Sequence, residues 1–311
     1  MAHATVFTSE IGKRIVVLAL LTIALVSAGI YGFVLEGSDC PGAAPTAGLA
    51  PGLAIEPPTD LGAGPVVSSQ LGREGPVAYH NRLSDRQCCL VIAHAGGSVD
   101  GLPYTNSREA LDRNYSLGRR VFEIDFSETC DGSLVLLHDW DRAGGDRLSK
   151  ARFLEAKGRG GLSRLDLDGL AGWLLQKPDS IIVTDTKGDF DRFLRRLEER
   201  LPPWIIERHF VIQVYDLAAL DRLRQAEPHL RLILTIYKMM KASDESLAQT
   251  LAHGGVIGLT MPRGRAFRLL PVLRKQFPDL PMYVHGSPSR INAPELHARL
   301  AALGASGFYL E

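Results

Sequence analysis

A chain of 311 residues, 45% of them apolar, has enough hydrophobic side chains to bury one large core, which excludes a disordered or low-complexity protein. Its 35 lysines and arginines balance 35 aspartates and glutamates. No broad field of either sign therefore draws it to nucleic acid, and a polyanionic ligand would have to be held locally.

The first feature in chain order is Ile15 to Val34, IVVLALLTIALVSAGIYGFV, an uncharged stretch long enough to cross a hydrocarbon core of roughly 30 Å. Lys13 and Arg14 precede it, and Glu36 and Asp39 follow it. This charge bias leaves residues 1–14 in the cytoplasm and puts the rest of the chain in the periplasm or outside the cell. A cleaved signal peptide, with Val26-Ser27-Ala28 as its small-residue site, is the competing reading; an ordinary apolar h-region is about 7 to 15 residues, so an uncleaved anchor over 15–34 is expected. Residues 35–75 are rich in Gly, Pro, Ala and Ser and read as a linker. Cys40, Cys88, Cys89 and Cys130 would then face an oxidising compartment, where three pairings are open to them. Cys88 and Cys89 open an apolar run and read as two small buried residues.

Residues 76–311 are expected to form one catalytic-sized domain. Beyond Gln87, β-rich runs at 89–94, 120–126, 180–187, 210–215, 230–237, 255–261, 280–286 and 306–310 alternate with helical spacings such as Phe190, Phe193, Leu194 and Leu197. Strand alternating with helix predicts parallel pairing through right-handed crossovers, and eight such units suit a closed α/β barrel of the TIM (β/α)8 type. An open doubly wound sheet fits less well, since no GxGxxG follows the first strand. An additional run, 133–139, follows Cys130-Asp131-Gly132, a tight-turn signal that predicts a hairpin-like arm at the barrel mouth. Arg195, Arg196, Glu198, Glu199 and Arg200 read as a solvated helix face.

In such a barrel the chemistry sits at the carboxyl ends of the strands. The first strand ends in His94. The second carries Glu123 and Asp125, whose spacing of two points both to one side, and the third likewise carries Asp185 and Lys187. The arm ends in His138-Asp139. Three carboxylates converging among apolar walls repel one another unless a cation lies between them, and oxygen-only ligands suit Mg²⁺ or Ca²⁺. Two flanking imidazoles can take a proton from a nucleophile and give one to a leaving group, which together with the ion and Lys187 points to phosphodiester cleavage. His285, ending the seventh strand, Trp140 beside the arm, and Tyr237 and Lys238 are further candidates for contact with a substrate.

The stretch 93–141, AHAGG…YTNSREALDRNYSLGRRVFEIDFSETCDGSLVLLHDWD, resembles the opening of the glycerophosphodiester phosphodiesterase family, within the wider group of phosphatidylinositol phospholipase C-like barrels. The similarity covers Cys88 to the C-terminus. It implies that His94 and His138 are the acid/base pair, that Glu123, Asp125 and Asp185 bind the metal, and that Lys187 contacts phosphate; Gln213 falls where that family often has a strand-end Gln. Three positions depart from its pattern. Ala95 stands where an Arg is usual, Thr105 where a Glu is common before the Asn-Thr pair, and Asp185 where the third ligand is commonly Glu, an arrangement similar to sphingomyelinase D-type enzymes. Losing the Arg removes a bidentate phosphate donor and opens the question of substrate. The expected function is a membrane-anchored, metal-dependent phosphodiesterase acting on glycerophosphodiesters or lipid head groups. The alternatives are a phospholipase D-like lyase releasing a cyclic phosphate and a catalytically inactive barrel that binds.

Overall fold

The computed structural model describes residues 88–237, 243–286 and 291–311, together with Cys40. The chain divides into two compact units, residues 1–45 and 46–311, and all described residues except Cys40 belong to the second. The expected cytoplasmic segment, the membrane anchor, the linker and the start of the barrel domain at residue 76 lie outside the described residues, as does Lys238. Among the described residues no helix is long and apolar enough to cross a membrane.

Eight parallel strands close on themselves among the described residues. They are β1 (Leu90–Ala93), β2 (Val121–Glu128), β4 (Ile181–Thr186), β5 (Phe210–Val214), β6 (Leu232–Thr235), β7 (Gly258–Pro262), β8 (Met282–His285) and β9 (Gly307–Leu310). Neighbours follow in sequence order, and β1 pairs with both β2 and β9 to complete the ring. The arm is real: β3 (Leu134–Leu136) lies antiparallel on β2, with Phe126 opposite Leu136.

The strand sequences explain both faces of this wall. Leu90, Ile92, Val121, Val183, Val211, Ile233, Tyr283 and Tyr309, taken at alternate positions, fill the barrel interior. Their sequence neighbours, among them Phe122, Ile182, Ile212 and Leu232, face the helical layer. Strands buried on both faces read as nearly continuous apolar runs, as these do. The helices are α1 (Arg108–Ser116), α2 (Lys150–Glu155), α3 (Leu167–Gln176), α4 (Phe190–Arg200), α5 (Pro203–His209), α6 (Leu217–Ala226), α7 (Asp244–Ala252), α8 (Arg263–Gln276) and α9 (Pro294–Ala302). Most start on a polar cap: Ser107, Ser149, Asp166, Asp189, Asp216 and Ser243 each accept a hydrogen bond from an N–H in the first turn.

Two expectations are corrected. Cys88 and Cys89 are not merely small buried residues, since a disulfide joins them, and none of the four cysteines is free. The charged run on α4 is not wholly a solvated face, because Arg200 Nη2 lies 2.8 Å from Asp168 Oδ2 and ties α4 to α3.

Candidate active site

The register of β2 on β4 sets Asp125 beside Asp185 and Glu123 beside Val183. The period of two then turns Glu123, Asp125 and Asp185 toward the barrel axis, where one carboxylate oxygen from each lies within 4.8 Å of the others. All three are buried. Such a cluster needs positive charge. Lys187, two residues beyond Asp185, supplies part of it: its Nζ lies 2.8 Å from Asp125 Oδ1 and 2.6 Å from Asp185 Oδ2. Burial and these two charges act in opposite directions on the ammonium, and the charges win, holding it well above the usual lysine value.

β1 delivers His94 and then stops in an abrupt turn. Ala95, Gly96 and Gly97 all take left-handed backbone angles, with φ of 49°, 82° and 85°. This conformation suits glycine and costs other residues about 1–2 kcal/mol, so two glycines follow the one alanine that bears it. A side chain at Gly97 would also collide with Asn114. The turn aims the Ala95 N–H at Glu123 Oε2, 2.8 Å away. Where an arginine side chain was the expected neighbour of the first histidine, the chain thus offers a backbone donor to a carboxylate.

His94 is held from both sides. Its Nδ1 lies 2.8 Å from Glu311 Oε1, and its Nε2 lies 3.7 Å from Glu123 Oε2. Burial by itself would lower its pKa, but the Glu311 hydrogen bond and the charges of Glu123, Glu311 and Asp125 raise it to about 9. Glu123 is pushed up to about 8, by burial first and the Asp125 charge second. Its Oε1 is buried without a hydrogen-bond partner among the described residues.

His138 stands two residues beyond β3. Its Nδ1 lies 2.6 Å from Asp139 Oδ2, and Asp139 in turn accepts from the Arg142 backbone N–H at 2.9 Å. The Tyr104 ring packs edge-on against both imidazoles, 4.7 Å from His94 and 5.9 Å from His138 between centroids. The structure thus gathers both histidines, the three carboxylates and Lys187 at the carboxyl ends of the first strands and the arm.

The remaining candidates divide. His138, Trp140 and Lys187 line a cavity of about 400 Å³. His94, Glu123, Asp185, Gln213, Tyr237 and His285 border a second space of about 40 Å³, room for a water or two. Gln213 is engaged by tyrosines: its Nε2 donates to Tyr215 Oη at 3.2 Å, and its Oε1 accepts from Tyr309 Oη at 3.4 Å. The His285 Nε2 is buried and without a partner among the described residues. Burial, then the nearby charge of His94, lowers its pKa to about 4. Another hollow, of about 870 Å³, opens at the opposite ends of the strands among Ile181, Ile257 and Pro281, and none of these groups lines it.

Four site residues were not singled out in the sequence. Asn106 clasps Asp125, its Nδ2 donating to Oδ2 at 2.7 Å and its Oδ1 accepting the Asp125 N–H at 3.0 Å. Tyr215 donates its hydroxyl hydrogen to Asp185. Tyr104 and Glu311 brace the histidines. Glu311 had a signal: it lies two residues beyond inward-facing Tyr309, on the same side of its strand. Tyr215 likewise lies two beyond Gln213.

The chemistry of the donors fits a hard divalent cation. Three oxygen ligands are preassembled, one carboxylate oxygen lacks a partner, and Glu123 is raised in pKa where a further positive charge would lower it. Glu123, Asp125 and Asp185 are the residues that would hold it.

No protein-family model and no curated protein sequence matches the chain. Solved structures do. A glycerophosphoryl diester phosphodiesterase from Parabacteroides distasonis superposes with a TM-score of 0.58 at 18% identity, over 73% of this chain and 84% of that one. A glycerophosphodiester phosphodiesterase from Thermotoga maritima gives 0.55 at 20% identity, over 72% and 95%. An Oleispira antarctica phosphodiesterase in complex with the product sn-glycerol-3-phosphate gives 0.55 at 17% identity, over 71% and 92%. At these identities the likeness establishes a shared fold, a closed parallel barrel with its helical layer.

Proposed function

We propose that the barrel belongs with the glycerophosphodiester phosphodiesterases whose fold it shares, and that it is a metal-dependent hydrolase of glycerophosphodiesters or related phospholipid head groups. The observation that carries this reading is the buried trio Glu123, Asp125 and Asp185, gathered within 4.8 Å beside Lys187 and His94 at the strand ends. The Oleispira protein's bound glycerol phosphate supports a small phosphate ester as the ligand class.

The chain's own groups divide the work. Lys187 offers an ammonium to a non-bridging phosphate oxygen, and both histidines present an Nε2 because their Nδ1 atoms are held by Glu311 and Asp139. One imidazole takes the proton of the attacking water as the new P–O bond forms; the other gives a proton to the alcohol oxygen as the old P–O bond breaks. Tyr104 and Asn106 fix a histidine and a carboxylate, respectively, before substrate arrives. A bound Mg²⁺ or Ca²⁺ would supply Lewis-acid stabilisation of charge on the phosphoryl oxygens.

The test is phosphorus NMR of glycerophosphodiester turnover with each ion, with EDTA, and with His94→Ala and His138→Ala. A monoester product, abolished by EDTA and reduced about 10²–10⁴-fold by either substitution, is expected. A cyclic phosphate would favour the lyase, and no turnover the binding module. The apolar stretch 15–34 supports a single-pass anchor with the barrel on the far side of the membrane; sedimentation of the full chain with membranes, and protease access to the barrel only from that side, is the expected result.

A further inference from the structure

The cavity beside His138 has two groups to spare. The Trp140 Nε1 hydrogen is buried with no acceptor among the described residues. Arg147, exposed at the cavity wall, has no hydrogen-bond or ion-pair partner among them either. The other charges on that wall are matched. Lys187 lies between Asp125 and Asp185, Arg192 Nη1 is 3.1 Å from Glu128, Asp139 holds His138, and Asp189 caps α4. A buried donor without an acceptor is costly, and an unpaired guanidinium at the same wall completes an anion-seeking pair. Phe126, Leu134 and Phe193 supply apolar backing. At about 400 Å³ the space exceeds what a simple short alcohol fills.

We propose that this cavity receives the alcohol of the diester on the His138 side, and that it selects an alcohol bearing a second phosphate. Two terminal oxygens of a phosphate monoester match the fork of Arg147, and a third accepts from Trp140 Nε1. The proposal rests on the phosphodiesterase reading above and deepens it: Arg147 and Trp140 set substrate choice. Neither is assigned a part in the bond-breaking step.

The test uses the full chain with its activating ion and three diesters sharing one glycerophosphate half: glycerophosphocholine with a cationic alcohol, glycerophosphoglycerol with an uncharged one, and glycerophosphoglycerol phosphate with the second anion. The last is expected to have the highest kcat/KM, about tenfold above the diester of the uncharged alcohol, as one charge-assisted contact allows. Arg147→Ala should bring that ratio close to one, mainly through KM, and Trp140→Phe, which keeps the ring and removes the N–H, should lower it in part. Equal kcat/KM for all three diesters, a preference for the choline ester, or a ratio unmoved by Arg147→Ala sinks the anion pocket while leaving the phosphodiesterase intact. Absence of turnover with every diester and ion takes down both.

Discussion

At the scale of single residues, the site is organised by side chains that touch the proposed reacting groups without reacting. Asn106 is the clearest. It makes two hydrogen bonds to Asp125, one to the carboxylate and one from the backbone N–H, from a backbone held at φ 48°. Asn106→Ala leaves a buried carboxylate and a buried N–H short of partners, so a loss of about 1–3 kcal/mol in denaturant unfolding is expected, with metal affinity down about 10–100-fold by titration. Unchanged metal affinity would show that Asp125 is positioned without it. The acidic ligands were legible in the sequence because Glu123/Asp125 and Asp185/Lys187 obey the strand period of two. Asn106 was not, because it meets its partner across 19 residues of chain and that distance leaves no mark on local spacing; Glu311 carried only a faint mark, its place two residues beyond Tyr309, and its partner His94 lies 217 residues away. Trp140 was a candidate from its place beside His138-Asp139, whereas nothing in local spacing marks Arg147: a space between side chains is a property of packing.

At the scale of elements, the arm that carries His138 is pinned from below. Leu136 N donates to Leu165 O at 2.9 Å, and Lys150 Nζ on α2 lies 2.6 Å from both Asp166 and Asp168 at the start of α3. Arg200 of α4 completes the knot through Asp168. Burial would raise the Asp168 pKa, but the hydrogen bonds from Arg200 and Lys150 outweigh it and hold the group below its ordinary 3.8. The unfolded chain then binds this proton more tightly than the folded one. Stability from Asp168 is full above pH 3.8 and is lost as pH falls through the lower folded-state value. Asp168→Asn is therefore expected to cost about 1–2 kcal/mol near neutral pH and to flatten the loss of stability between about pH 5 and 3, measured by urea melts across pH. A parallel acid limb in the variant would argue that the knot contributes nothing. The arm itself was readable from Asp131-Gly132, since that dipeptide favours a tight turn; the ion network beneath it was not, because a charge run on a helix looks the same whether solvated or paired.

At the scale of the whole molecule, the barrel was legible because burial on both faces leaves each strand an apolar run bounded by helix. Its carboxyl end gathers the carboxylates of Glu123, Asp125, Asp185 and Glu311 against the Lys187 ammonium and the His94 imidazole, so a divalent ion should stabilise the folded state by mass action. At 100 times its dissociation constant the gain is about 2.7 kcal/mol, which for a domain this size corresponds to roughly 5–10 °C in Tm. Scanning calorimetry with and without Mg²⁺ or Ca²⁺ measures it. Asp185→Asn should abolish most of the shift, and an equal shift in the variant would place the ion elsewhere. The order of the strands carries one more consequence. β9 lies between β8 and β1, so the stave that closes the ring also brings Glu311 against His94. The imidazole on the first stave is thus steadied by a stave 217 residues further along. Anything that loosens the seam between β1 and β9 frees His94 as well, so closure of the ring and orientation of the histidine are one structural event.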